Sequence, residues 1–158
     1  YDIISDIGLV TNSSEKAEQL ISHMKQEFSK IENAISKIKH KKRVYYSISL
    51  SEYGLYTAGA NTYINQLLEL AGLVNIATDL TGWTYSVENL IKNNPDYIIC
   101  SHLYNSKYTL LNYSPISDLT AVKNQFIIEI DNNLIERQGP RNIDGIKILL
   151  KEIYNINI

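Results

Sequence analysis

Apolar residues recur every three or four positions from Ala17 to Ile38, which is the spacing of one face of a helix. The stretch contains neither Gly nor Pro. Asn12, with Glu15 three residues later, has the pattern of a capping box. The pattern therefore predicts a helix of about seven turns over residues 13–41 that ends in a basic run.

Strand and helix patterns alternate after this helix. Apolar runs of strand length lie at 43–50, 96–101 and 125–130, and helical patterns lie at 62–71, 86–93, 106–112 and from 143 onward. Continuous apolar runs are typical of buried parallel strands, and strand–helix alternation is typical of a doubly wound sheet. The predicted fold class is α/β: a three-layer, Rossmann-like lobe with a mainly parallel sheet, preceded by a long backbone helix.

The segment Tyr56–Asn75 is the most informative single unit. A glycine turn precedes a short amphipathic helix over 62–71, for which Asn61 is the expected N-cap and Gly72 the expected C′ residue. Such a unit presents a loop at the end of a strand, where α/β sheets hold their ligands.

Composition narrows the function classes. The 158 residues are 44% hydrophobic and 20% charged, enough for a buried core. A net charge of −2 argues against nucleic acid, and the basic run from Lys37 to Arg43 suits the negative end of the helix dipole. The single Cys excludes an internal disulfide framework and a Cys-based zinc site. No apolar run reaches the roughly 20 residues of a membrane span.

Familiar catalytic patterns are missing from the sequence. It contains no Gly-x-Gly-x-x-Gly, no Walker-type Gly-Lys-Ser/Thr and no Gly-x-Ser-x-Gly around Ser101. With His23, His40 and His102 the only histidines, a His-rich metal cluster is not expected. Paired acids for glycoside or proton-transfer chemistry stay open, because spacing neither favours nor excludes them.

Aromatic and polar residues follow the predicted strands, and their loops are expected to converge on one edge of the sheet. An aromatic wall with a few polar groups suits a bulky, partly apolar ligand. The candidates are Tyr53, Tyr56, Trp83, His102, Tyr104, Asp131 and Arg137. Structural interpretations compete with each of them: rim packing for the aromatics, a loop hydrogen bond for His102 and a turn for Asp131.

Seven short motifs occur in the order found in helical-backbone solute-binding proteins, the extracytoplasmic receptors of ABC importers for cobalamin, haem and iron–siderophore complexes. They are Lys42-Arg-Val-Tyr45, Tyr56-Thr-Ala-Gly59, Leu70-Ala-Gly-Leu-Val-Asn75, Trp83 with Ser86-Val-Glu88, Asn94-Pro-Asp96, Ala121-Val-Lys-Asn124 and Gly139-Pro-Arg141. Together they cover Lys42 to Tyr154, so the chain resembles this family over most of its length.

The resemblance implies a domain organisation and a function. Residues 1–12 correspond to the tail of an N-terminal lobe outside this chain, 13–41 to the helix that joins the lobes, and 42–158 to the C-terminal ligand-binding lobe. The implied protein is non-catalytic and has no cofactor of its own. It holds a metal chelate between two lobes and passes it to an ABC permease. A lipid anchor on the N-terminal part would be its only membrane contact.

The resemblance also assigns roles to single residues. Trp83 matches an aromatic that lines the cleft in cobalamin receptors, Tyr56 lies near another aromatic of that wall, and Asp131 matches an acidic cleft residue. His102 resembles the position of an axial iron ligand in some haem receptors. Glu88 matches the exposed acid that pairs with an arginine of the permease, although the helix dipole alone explains an acid there.

Two further expectations accompany this interpretation. The alternative function is a cytoplasmic α/β enzyme or regulatory module, chelatase-like or receiver-like. An isolated lobe is also expected to expose Met24, Phe28 and Ile31 on the backbone helix, and either to form a dimer that covers them or to exchange the backbone helix between two copies.

Overall fold

The structure, a computed structural model, describes residues 1–51, 54–80 and 82–158, apart from the side chain of Tyr104. Two helices open the chain, α1 (Asp2–Val10) and α2 (Ser14–Ile35). The strands are β1 (Arg43–Ser47), β2 (Ser49–Ser51), β3 (Gly54–Tyr56), β4 (Val74–Asn75), β5 (Thr84–Tyr85), β6 (Tyr97–Ser101) and β7 (Ile127–Ile130). The later helices are α3 (Tyr63–Leu70), α4 (Val87–Asn93), α5 (Ser106–Asn112), α6 (Thr120–Lys123), α7 (Asn132–Ile135) and α8 (Asn142–Tyr154).

Four strands form a parallel sheet in the order β4-β1-β6-β7, with Val44 opposite Tyr97 and Ile98 opposite Ile127. Successive side chains enter opposite cores, as the pleat of a strand requires. Val44 packs with α2, α3 and α8 on one face, whereas Ile98 and Ile127 pack with α4, α5 and α6 on the other. The predicted three-layer α/β fold with a mainly parallel sheet is confirmed.

The sequence predicts one strand over the apolar run at 43–50, but the structure contains two. β1 ends at Ser47, and Ile48 donates its N–H to the Tyr56 carbonyl (2.9 Å) instead of continuing the parallel ladder. The next residues form β2 of a separate antiparallel sheet, in the order β2-β3-β5. Tyr56, the partner of Ile48, lies outside the apolar run, so this run alone does not reveal that β1 ends at Ser47.

Helix α2 ends at Ile35 instead of residue 41. The N–H groups of Lys37 and Ile38 bond three residues back, which tightens the final turn. Ile38 then packs against Gly72, where a Cβ atom would lie 3.1 Å from Ile38 Cδ1. The basic run therefore begins just beyond the end of α2 and not within its last turn.

Arg43, the last residue of the basic run, has a structural role. Its guanidinium donates to the Asn93 carbonyl (2.8 Å) and to Asn93 Oδ1 (3.1 Å), while its backbone N–H donates to Asp96 Oδ2 (2.8 Å). These bonds join the start of β1 to the end of α4 and the start of β6.

The predicted helix caps are partly wrong. Asn12 adopts a φ of 51° in the turn between α1 and α2, a left-handed conformation that Asn tolerates, and makes no capping box. Thr62, not Asn61, caps α3, because its hydroxyl accepts the Asn65 N–H (3.1 Å). Gly72 has a φ of 71° after the end of α3, as its predicted C′ position requires.

Of the two N-terminal helices, α1 carries most of the exposed apolar side chains. Met24 and Ile31 are buried within the chain and Phe28 is half-buried, so the expectation that α2 exposes them is wrong, and the argument for a dimer that covers them fails. On α1, by contrast, Leu9 and Val10 are exposed. No helix among the described residues is both long and apolar enough to cross a membrane.

An acid on the buried face of α2 fixes this helix to α8. Glu27 is only 5% exposed, and its carboxylate accepts hydrogen bonds from Lys147 of α8 and from Lys30 (2.5 Å). These two hydrogen bonds lower the pKa of Glu27 to about 2, and the bond from Lys147 has the larger effect. The charged form of Glu27 is therefore favoured by folding.

We expect this carboxylate to make the fold acid-sensitive. Because the folded-state pKa of Glu27 lies below its ordinary value of 4.5, the contribution of this carboxylate to stability is complete above pH 4.5 and is lost as the pH falls towards 2. Urea unfolding between pH 7 and pH 2.5 should show a steeper loss of stability for the unmodified chain than for Glu27→Gln. Glu32→Gln, at an exposed position of α2, is the control and should retain the steep loss. Equal slopes for Glu27→Gln and the unmodified chain would contradict the assignment.

Candidate ligand-binding site

The four parallel strands end together at one edge, and the loops that follow them form the candidate site. β1 leads into the antiparallel sheet, β4 into residues 76–80, β6 into His102 and β7 into Asp131. This carboxyl edge is where open α/β sheets bind ligands.

A buried amide holds the first two of these loops together. Asn75, 3% exposed, donates from Nδ2 to the Ala58 carbonyl (2.7 Å) and to Asn65 Oδ1 (3.0 Å). Its Oδ1 accepts the Ala77 N–H (3.0 Å). Asn65 Nδ2 in turn donates to the Ala60 carbonyl (3.2 Å). One pair of side chains therefore connects the turn before α3 to the loop after β4.

The same turn is closely packed. A Cβ atom on Gly59 would lie 3.1 Å from the Leu80 carbonyl oxygen, so the two loops approach at a distance that glycine allows. The Thr57 hydroxyl donates to the Tyr46 carbonyl (2.6 Å), which fixes the turn to β1. The Tyr56-Thr-Ala-Gly59 motif thus has a structural role that is visible in its contacts.

Two predicted aromatic residues lie on this framework. Tyr56 pairs with Thr84 across β3 and β5, and the Thr57 N–H donates to the Trp83 carbonyl (2.9 Å). Tyr56 is half-buried and Trp83 is 55% exposed. Their backbones are adjacent, but no ring contact between them is present among the described residues.

His102 and Asp131 come together at the ends of β6 and β7. The His102 backbone N–H donates to the Ile130 carbonyl (3.0 Å), and its ring Nδ1 lies 3.3 Å from the same oxygen. A carbonyl can only accept, so a proton on Nδ1 would complete this contact, and in that tautomer Nε2 carries a lone pair with no hydrogen-bond partner among the described residues.

Asp131 caps α7, which accounts for its position. Its Oδ1 accepts from the backbone N–H (2.9 Å) and the side-chain amide (2.8 Å) of Asn133. Several groups hold the pKa of Asp131 below its usual range. The hydrogen bond from the Asn133 backbone has the largest effect, followed by the Asn133 side chain, His102 and Arg141. Asp131 is therefore an anion at neutral pH beside two basic side chains.

Arg137 is exposed in the segment between α7 and α8, and a second buried asparagine fixes that segment. Asn142 Nδ2 donates to the carbonyls of Leu134 and Arg137, both at 2.8 Å, and its Oδ1 accepts the Gly139 N–H (2.7 Å). The Arg137 guanidinium makes no hydrogen bond or ion pair within the described ranges.

The remaining candidates are less defined. Tyr53 lies outside the described residues, and Tyr104 is described only by its backbone, in a 3₁₀ helix that directly follows His102. Glu88 is exposed in the first turn of α4 and forms no ion pair within residues 1–51, 54–80 and 82–158. Within those ranges no three His, Cys, Asp or Glu side chains form a metal-binding group.

Sequence reasoning missed the three asparagines that position the loops. Asn65, Asn75 and Asn142 are buried polar residues, and the only sequence signal for any of them was that Asn75 closes one of the seven motifs. It also missed a cavity at the end of β1 that is lined by Ser47, Ser106 and Thr109.

These features define a class: an α/β lobe whose strand-end loops, fixed by buried amides, present an open candidate ligand surface. The family is defined by comparison. A model described as "Periplasmic binding protein" matches residues 1–134, and the chain belongs to this family. The match favours ligand binding for transport over the chelatase-like or receiver-like alternative.

Individual relatives agree with this placement. The chain is 31% identical, over 98% of its length, to an uncharacterized ABC transporter substrate-binding lipoprotein of Bacillus subtilis, of which it covers 49%. It is 26% identical to a cobalamin-binding protein of Halobacterium salinarum, over 96% of this chain and 43% of that protein. The chain thus spans about half the length of the curated relatives it matches.

A solved structure gives the same result for the fold. The crystal structure of a possible iron-binding (periplasmic solute-binding) protein from Staphylococcus epidermidis is 32% identical, with a TM-score of 0.82. The similarity covers 98% of this chain and 61% of that one.

We expect Asn75→Leu to destabilise the chain by about 2–4 kcal/mol, because it leaves the Ala58 carbonyl, Asn65 Oδ1 and the Ala77 N–H buried without partners. Urea denaturation at pH 7 measures this change. Asn89→Leu, on the exposed face of α4, is the matched control and should change stability by less than about 0.5 kcal/mol. Equal stability of the two variants would show that the amide network is not required.

Proposed function

We propose that this chain forms the C-terminal ligand-binding lobe, with its interlobe helix, of an extracytoplasmic receptor that delivers a metal chelate to an ABC importer. In this proposal residues 13–41 join the lobes, 42–158 bind ligand, and 1–12 belong to the end of the other lobe. The observation that carries it is the open surface at the carboxyl edge of a periplasmic-binding-protein fold. The cobalamin-binding and possible iron-binding relatives support a metal chelate as the ligand.

The exposure of the site supports a two-lobed receptor. Trp83 and His102 are both exposed, so a ligand on this edge would stay uncovered on its other side. Ligand sites usually bury roughly 70–90% or more of the surface of a bound molecule. A second surface is required to complete the site, and relatives about twice as long as this chain have room for one.

The proposed protein binds and releases without catalysis and needs no cofactor of its own. Helix α2 packs on α8 through the buried Glu27–Lys147 pair, so it moves with this lobe as one body. Closure on the ligand is then expected to be small. The substrate-binding lipoprotein among the relatives supports an extracytoplasmic location with a lipid anchor.

His102 is the residue that we propose to face the metal. Its Nδ1 is engaged with the Ile130 carbonyl, and the free Nε2 has the electron pair that an axial ligand needs. Trp83, Tyr56, Tyr53 and Tyr104 would contact the chelate's faces, and Asp131 and Arg137 its polar groups.

The test is a spectroscopic titration of the complete receptor that contains this chain with cyanocobalamin, hemin and ferrichrome. We expect tight binding of one of them, and a loss of at least about tenfold in affinity for His102→Ala if Nε2 contacts the metal. His40→Ala, at an exposed histidine outside the site, is the control and should bind like the unmodified receptor. Failure to bind any of the three chelates would overturn the assignment.

Glu88 is the proposed contact with the permease. An exposed ion pair adds little affinity, but reversing one of its charges creates repulsion that docking must overcome. We therefore expect Glu88→Arg to reduce uptake of the labelled chelate by cells while chelate affinity stays unchanged. Glu32→Arg, an equal charge reversal on α2, should leave uptake intact. Normal uptake with Glu88→Arg would exclude this contact.

A further inference from the structure

The basic run at residues 37–43 has no part in the candidate ligand site. Of the 15 Lys and Arg residues of the chain, five lie in this run, and no Asp or Glu occurs between Glu32 and Glu52. The five are Lys37, Lys39, Lys41, Lys42 and Arg43, and His40 lies among them. A chain with a net charge of −2 therefore carries a local concentration of positive charge.

The charges of the basic run are accessible and are not neutralised by acids. Lys42 is half-buried and the other four cations are exposed. No ion pair among the described residues involves any of the five. The Arg43 guanidinium bonds to Asn93, which is neutral, and Asp96 accepts the backbone N–H of Arg43 (2.8 Å). The dipole of α2 explains little of the run, because its effect falls off within the last turn and the helix ends at Ile35.

The basic run lies at the edge of the parallel sheet opposite the candidate ligand site. β1 begins at Arg43, whereas His102 and Asp131 follow the carboxyl ends of β6 and β7. Because β1 and β6 run parallel, the start of β1 marks the amino edge of the sheet. The five residues of β1 separate the two edges by roughly 16 Å. A surface bound to the basic run therefore leaves the candidate site facing away from it.

The basic run offers charge without an exposed apolar anchor. Ile38 is its one apolar residue, and it packs inward against Gly72. Contact with a partner is therefore electrostatic and does not involve insertion of an apolar side chain. Such contact weakens when salt shortens the distance over which charges interact. These properties suit a broad anionic surface better than an apolar groove on another protein.

We propose that the basic run binds the anionic headgroups of a lipid bilayer. The inference rests on the extracytoplasmic, lipid-anchored location in the proposed function, and it adds a second membrane contact that orients the lobe. Clusters of about four to eight Lys or Arg residues beside a membrane bind anionic lipids. An anchored chain also meets headgroups at high effective concentration, which favours them over polyanions in solution. With the amino edge on the bilayer, the candidate site faces outward, where a chelate arrives.

The test is co-sedimentation of the 158-residue chain with lipid vesicles, which measures the basic run without an anchor. We expect binding to phosphatidylcholine vesicles that contain about 30% phosphatidylglycerol, and little binding to vesicles of phosphatidylcholine alone. Binding should be lost as salt rises from about 0.02 M to about 0.5 M. Each Lys near an anionic surface strengthens binding roughly fivefold, so Lys39→Gln with Lys41→Gln should weaken the partition constant at least about tenfold.

The matched control removes two exposed lysines from the N-terminal half of α2, Lys16→Gln with Lys25→Gln, and should retain vesicle binding. Circular dichroism should give similar melting temperatures for both double variants, because all four lysines are exposed. Equal loss of binding in both double variants, or equal binding to neutral vesicles, would overturn the proposal. Binding to soluble polyphosphate without binding to anionic vesicles would also overturn it and assign the run to a polyanion in solution.

The chelate titration tests the proposed function separately. It measures the carboxyl edge in the absence of vesicles, so a chain that binds no anionic vesicles can still belong to a receptor that binds a chelate. Vesicle binding by the chain together with failure of the receptor to bind any chelate would overturn the proposed function and retain the membrane contact.

Discussion

The arrangement of the candidate ligand surface depends on one buried amide, that of Asn75. A parallel sheet fixes where strands end, but the loops beyond the strands have no ladder to satisfy their backbone groups. Asn75 provides partners for groups on two loops at once, the Ala58 carbonyl and the Ala77 N–H, and it orients Asn65. Buried polar networks of this kind specify one arrangement because each unmade bond is costly.

Asn142 repeats the same solution at the other end of the edge. It connects the carbonyls of Leu134 and Arg137 to the N–H of Gly139, so the segment that carries Arg137 has a fixed backbone, while its guanidinium has no hydrogen-bond or ion-pair partner among the residues that the structure describes. Rigid backbone with exposed functional groups suits a receptor that has to bind and release. The Glu27 carboxylate adds a third buried polar contact, which holds the backbone helix to the lobe.

Local features of the fold could be predicted from the sequence, and non-local ones could not. The bounds of α4 and α5 follow from signals within a few residues, such as Ser86 as N-cap. The division between β1 and β2 depends on a bond from Ile48 to Tyr56, and apolar patterning contains no trace of it. The site shows the same division: strand ends predicted His102 and Asp131, but the cavity at the end of β1 is lined by Ser47, Ser106 and Thr109, which are distant in sequence.

We propose that this carboxyl edge faces a metal chelate. Anomalous diffraction at the metal absorption edge, from crystals of the complete receptor with its bound chelate, locates the metal without assumptions about its ligands. The metal is expected beside the carboxyl ends of β1 and β6, on the side of His102 Nε2 and Trp83. A metal at the opposite edge of the sheet, or along the outer side of β7, would contradict it.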